Sequence, residues 1–154
     1  MKKKIALCLV VLLAAAGLFN SCNQDDCEEA VLDSKSLELL YGCTDTRNTL
    51  SIDLTNSAII ISNQTDYESQ VDGPCAPAID FVNYDLIIGK RTTTQVVDTI
   101  LYDYRIACPG GNKTLNVEIM QGTTVQADNP VFHLLVPKLG NGENIALNVY
   151  VKNN

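Results

Sequence analysis

The chain of 154 residues is 46% hydrophobic and 19% charged, with no repeat and no low-complexity tract. That is enough for one globular domain, and it excludes a fibre or a disordered chain. The formal charge of −7 conceals a division: three of the 11 basic residues are Lys2, Lys3 and Lys4, leaving 8 basic against 18 acidic residues from residue 22 onward. A body so acidic repels nucleic acid and anionic head groups, so no nucleic-acid partner is expected.

Behind the three lysines, Ile5 to Phe19 is an unbroken run of 15 apolar or small residues. A spanning helix needs about 20, so the run reads as the apolar part of a secretory signal. No A-x-A-like cleavage site follows; Ser21 precedes Cys22 instead. The string Leu18-Phe19-Asn20-Ser21-Cys22 resembles the lipobox of bacterial lipoproteins in its loose, Bacteroidetes-type form, with Phe19 where Leu is usual and Asn20 where a small residue is usual. The resemblance implies that Cys22 is lipidated and becomes the new N-terminus. Asn23-Gln24-Asp25-Asp26 is similar to the short acidic signal that sends such lipoproteins to the cell surface. The expected organisation is a signal peptide over 1–21, an acidic tether over 22–35 and a domain over 36–154. The expected location is the outer membrane, lipid-anchored and facing the cell surface, with the periplasmic face as the alternative. Each buried CH₂ of an acyl chain contributes about 0.8 kcal/mol, and more than one chain makes attachment stable.

Within 28–41, Leu37, Leu39 and Tyr41 fit a helical turn or a strand equally. From residue 49 onward a period of two dominates. Ala58–Ile61 and Ile79–Ile88 are apolar on both faces, which predicts central strands. Ile100, Tyr102, Tyr104, Ile106 and Cys108 share one face of the next segment; Leu115, Val117 and Ile119, then Phe132, Leu134 and Val136, then Ile145, Leu147, Val149 and Val151 repeat the pattern. Turn signals separate them at Asp72-Gly73-Pro74, Pro109-Gly110-Gly111-Asn112, Gly122, Asn129-Pro130 and Gly140-Asn141-Gly142. The reading is an all-β fold, an antiparallel β-sandwich of seven or eight strands, with a partly open barrel as the alternative. Expected hairpins join 79–89 to 96–107 and 114–121 to 131–137, with 145–151 returning to an edge.

Cys8 lies in the signal and Cys22 takes the lipid, which leaves Cys27, Cys43, Cys75 and Cys108. In an exported chain these predict two disulfides. Pairing 79–89 with 96–107 about Thr92 sets Cys75 opposite residue 109, so Cys75–Cys108 is the expected bridge and Cys27–Cys43 the second. No C-x-x-C pair or neighbouring histidine suggests a metal, and no cofactor is expected.

The sequence holds one histidine, His133, on a predicted strand, and lacks a G-x-S-x-G turn, an H-E-x-x-H helix and a Gly-rich phosphate loop. No catalytic residue is assigned, and His133 reads as an ordinary strand residue. Asp80, Asp85, Asp98 and Asp103 read as solvated surface. Three features point to binding or modification. Lys90, Arg91, Thr92, Thr93 and Thr94 form a basic, hydroxyl-rich loop at an expected hairpin tip, where exposed binding residues tend to sit. Tyr84, Tyr102 and Tyr104 fall on inward registers and read as core, with an aromatic platform for sugars as the alternative. Asp98-Thr99-Ile100 resembles the short O-glycosylation motif of Bacteroidetes exported proteins, which marks Thr99.

From Ile79 onward, Ile87-Ile88-Gly89 and Leu135-Val136-Pro137-Lys138 occupy the places of a strand ending in Gly and a strand ending near Pro-Lys in the C-terminal domain of the protease-complex protein PrcB. Residues 79–138 resemble that domain over about 60 residues, although its Gly-Gly-Tyr signature is replaced by Thr92-Thr93-Thr94-Gln95. The resemblance implies a module that docks on another protein, such as a protease. The expected function is therefore a non-catalytic, membrane-anchored binding or interaction module with a protein or glycan ligand. The alternative is a protease inhibitor or a small hydrolase of the envelope.

Overall fold

Residues 29–108 and 111–153 are described by the computed structural model, and among them nine strands and three short helices follow one another along the chain. Strand β5 (Tyr84–Lys90) is the centre of a three-stranded antiparallel sheet, between β3 (Ser57–Ile61) and β8 (Val131–Pro137). Its register sets Ile87 opposite Leu134, Ile88 opposite His133 and Gly89 opposite Phe132. A second sheet has the order β1 (Ala30–Val31), β6 (Val97–Ala107), β7 (Asn112–Gln121), β9 (Ile145–Asn153). There β6 and β7 form a long hairpin with a bulge between Val97 and Thr99, and β9 lies parallel to β7, Lys113 opposite Ile145. The two sheets face each other as a sandwich, with no closed barrel.

Alternation along the strands divides the apolar residues into two cores. Ile87, Phe132, Leu134 and Val136 meet Tyr104, Leu115, Val117 and Ile119 between the sheets. Leu86, Ile88, Val131 and Leu135 point the other way, into a third layer. That layer is built from helix α1 (Leu37–Tyr41), helix α2 (Thr46–Thr49), helix α3 (Gln64–Gln70) and a small ribbon of β2 (Ser51–Ile52) with β4 (Val71–Asp72). It contributes Leu37, Leu50, Ile52, Tyr67 and Val71. A strand apolar on both faces is explained by this extra layer.

Several expectations are corrected. Segments 79–89 and 96–107 do not form a hairpin, nor do 114–121 and 131–137; each member lies in the opposite sheet and the chain crosses over between them. Ala58–Ile61 is an edge strand, not a central one. The stretch before Tyr84 turns instead of extending, because the Asp80 carboxylate accepts from the Val82 and Asn83 amides and the Asn83 side chain. Leu37–Tyr41 resolves as helix: the Ser36 hydroxyl accepts from Leu39 N–H at 3.0 Å, and Gly42 closes the turn at φ 69°. Helix α3 has no apolar stripe to announce it. It is set by the Asn63 cap on Asp66 N–H, at 2.9 Å, and by one buried residue, Tyr67.

Asp85 is not solvated surface. It is 2% exposed in β5, with Lys138 Nζ 2.7 Å from one oxygen and Leu139 N–H donating to the other at 2.9 Å. Burial alone would raise its pKa; the Lys138 ammonium and the Leu139 amide outweigh that and hold the carboxyl below its ordinary value of 3.8. Asp85→Ala strands the Leu139 amide and is expected to cost about 2–3 kcal/mol in urea unfolding. Because the folded value is depressed, Asp85's contribution is complete above pH 3.8 and fades as the pH falls below it, so the difference between wild type and variant should shrink in acid.

Candidate functional site

At the open edge of β8 the third layer meets β6, and four polar side chains converge there. Helix α1 supplies Glu38, helix α2 supplies Thr46, β8 supplies His133 and β6 supplies Tyr102. His133 is 4% exposed, and its Nε2 lies 2.5 Å from Thr46 Oγ1 and 3.6 Å from Glu38 Oε1. The Thr46 hydroxyl donates to Glu38 Oε1. The His133 backbone N–H, on the free edge of its strand, donates to the Tyr102 hydroxyl at 3.1 Å. Nearby, Lys35 and Leu135 exchange backbone hydrogen bonds of 2.9 and 2.8 Å, which cover the rest of that edge.

One proton assignment satisfies the chain of contacts. Thr46 gives its hydrogen to Glu38, so its oxygen accepts from a protonated Nε2, and Nδ1 is left as a bare lone pair. Nδ1 is buried and has no hydrogen-bond partner among the described residues. Contact with the His133 ring, and then the Thr46 hydroxyl, holds the Glu38 carboxyl well below the usual carboxylate range against the opposing effect of burial. Burial pushes the Tyr102 phenol far above its ordinary value, so it stays protonated.

Above this cluster opens a pocket of about 290 Å³, bordered also by Ser36, Asp45, Arg47 and Thr99. Arg47 Nη1 donates to the Asp98 carbonyl at 2.8 Å and ties α2 to β6 across the mouth. Carboxylate, guanidinium and hydroxyl groups around so small a volume suit a small polar molecule. They do not suit nucleophilic catalysis. In a hydroxyl–imidazole–carboxylate triad the acid orients the ring through the nitrogen remote from the hydroxyl. Here carboxylate and hydroxyl crowd the same nitrogen, and the hydroxyl is 1% exposed.

Comparison with protein-family models, curated sequences and solved structures returned no match. The residues singled out by sequence must therefore be placed by geometry alone. Loop 90–94 is not a hairpin tip; it is the crossover between the sheets, and its hydroxyls are largely engaged. Thr93 is buried and donates to the Gln95 carbonyl at 2.8 Å, Thr92 donates to Asn129 Oδ1 at 2.9 Å, and the Thr94 amide donates to Gln121 Oε1 at 2.9 Å. Lys90 and Arg91 make no ion pair among the described residues. Thr99 is exposed on β6 beside the pocket mouth. Tyr104 is buried between the sheets, Tyr102 packs beside it, and Tyr84 packs on the other face of β5, so the three form no platform.

The disulfide pairing is corrected. Cys43 bonds Cys75, Cα to Cα 5.6 Å, inside the third layer. Cys108, at the far end of β6, is also disulfide-bonded, so neither Cys75–Cys108 nor Cys27–Cys43 forms. The expected pairs rested on a hairpin that the fold lacks. Cys22 and Cys27 lie outside the described residues, and among the described residues no cluster of metal-binding side chains occurs.

Glu38 and Thr46 had no sequence signal as partners of His133. Thr46 lies 87 residues away, and only the packing of two short helices against β8 brings them together.

Proposed function

We propose that the chain is a lipid-anchored, non-catalytic binding module of the bacterial cell envelope, carried on Cys22 and displayed at the outer-membrane surface behind an acidic tether. The observation that carries the non-catalytic part is the arrangement at His133, where a polar, open-mouthed pocket lies over a buried hydroxyl and an imidazole whose Nδ1 has no hydrogen-bond partner among the described residues. The resemblance of 79–138 to the PrcB C-terminal domain favours a protein as ligand, and exposed Thr99 is available to carry an O-glycan.

Cys22→Ser tests the anchor. The native chain is expected in the membrane fraction after a carbonate wash, and the variant in the soluble fraction; a variant that still sediments with membranes overturns the assignment. The chemistry is tested with p-nitrophenyl acetate. Saturable turnover that disappears in His133→Gln would replace the binding reading with a hydrolase.

A further inference from the structure

The sandwich is not closed on the side where β3 and β9 face each other. Ile60 sits opposite Ile87 in the ladder, so its side chain belongs to the face between the sheets, yet it is 44% exposed. Across the gap, Ile145, Leu147 and Val149 of β9 pack on the same core and are only partly buried. Two cavities of about 160 and 170 Å³ run along this seam and share Ala58 and Leu147 in their walls. Among the described residues β3 pairs only with β5 and β9 only with β7, so both strands bordering the seam have an unpaired outer edge. At the Val149 end stand Lys90 and Arg91, neither of which makes an ion pair among the described residues.

We infer that this seam takes an extended segment of a partner protein, laid along the free edge of β9, with apolar side chains at alternate positions and a carboxylate at the end beside Lys90 and Arg91. An added strand satisfies the edge amides and carbonyls, and the two-residue alternation delivers every second side chain into the gap beside Ile60. The charge of the seam end selects an acidic segment. The described start of the chain does not lie on the seam, because β1 borders the opposite edge of the four-stranded sheet, with β6 and β7 between it and β9. A second copy is disfavoured by the repulsion of two bodies that each carry 8 basic against 18 acidic residues.

The inference gives a surface and a partner chemistry to the binding role proposed above, and it rests on that role. It fails separately, since Cys22→Ser releases the chain from membranes without touching the seam. The probes are two fluorescein-labelled peptides, each alternating Val and Thr, one opening with Glu-Glu and the other with Lys-Lys, titrated by anisotropy into the full chain in detergent. The Glu-Glu peptide is expected to bind about tenfold tighter than the Lys-Lys peptide. Lys90→Glu with Arg91→Glu is expected to reverse that preference at an unchanged melting temperature. Ile60→Glu, at a half-exposed position, is expected to abolish binding of both. Equal binding of the two peptides, an acid preference that survives the double variant, or no binding up to about 1 mM overturns the inference. So does sedimentation of the unliganded chain as a dimer that Ile60→Glu dissociates, because the seam would then belong to a second copy.

Discussion

Serine at both Cys43 and Cys75 is expected to lower the stability of the domain by about 3–4 kcal/mol. The bridge joins residues 32 apart, and the loop it closes carries α2, β2, β3, α3 and β4. Most of what covers the outer face of the three-stranded sheet is thus strung on one cross-linked loop. Without the bond, the unfolded chain regains the freedom of that loop while the folded chain loses nothing but the sulfur contact. Urea unfolding of the double variant, or of wild type in dithiothreitol, reads the effect as a lower midpoint at similar slope. Digestion without reduction is expected to release Cys43 joined to Cys75. If Cys22 carries lipid as proposed, Cys108 is expected to map to Cys27. A double variant within about 1 kcal/mol of wild type would show that packing alone orders the third layer.

Phe132→Ala is expected to cost about 3–5 kcal/mol, and Gly89→Ala about 1–3, for one shared reason. The Phe132 ring lies over Gly89, its cross-strand neighbour, and fills the space a side chain would take. A methyl on residue 89 would stand 2.6 Å from Ala58 Cβ and 2.8 Å from Phe132 Cε2. Each element of the trio therefore fits only while the others keep their size. Gly89→Ala combined with Phe132→Leu should be less damaging than the two single changes added together, because the smaller side chain yields room to the methyl. Thermal unfolding of the four proteins in the cycle measures the coupling, and strict additivity would mean that the ring does not rest on the glycine.

The period-two pattern made the strands legible almost residue by residue, since alternation is a local property. Partnership was not. Nothing in Ile87-Ile88-Gly89 or in Tyr102-Asp103-Tyr104 tells the chain that these segments belong to different sheets, because each would be equally buried as a hairpin pair. The crossover at 91–96 depends on contacts with Asn56, Asn129 and Gln121, all far away in sequence. The disulfides share this ambiguity, because the partner of Cys75 follows from which strands pair, and the fold sets it against Cys43. Asp85 was hidden for a related reason: a lone carboxylate in a strand reads as exposed until Lys138, from beyond β8, is seen to reach it. The site at His133 was legible only as a single histidine. Its helical partners sit in helices of five and four residues, too short for any apolar stripe.

The parallel pairing of β9 with β7 has a kinetic consequence. Every residue of β9 meets one 32 positions earlier, with all of β8 and two crossovers in between. The β6–β7 hairpin closes on neighbours, whereas β9 has no such local start, and non-local ladders of this kind form more slowly. With one side unpaired, β9 is held by a single ladder at the very margin where the core lies open.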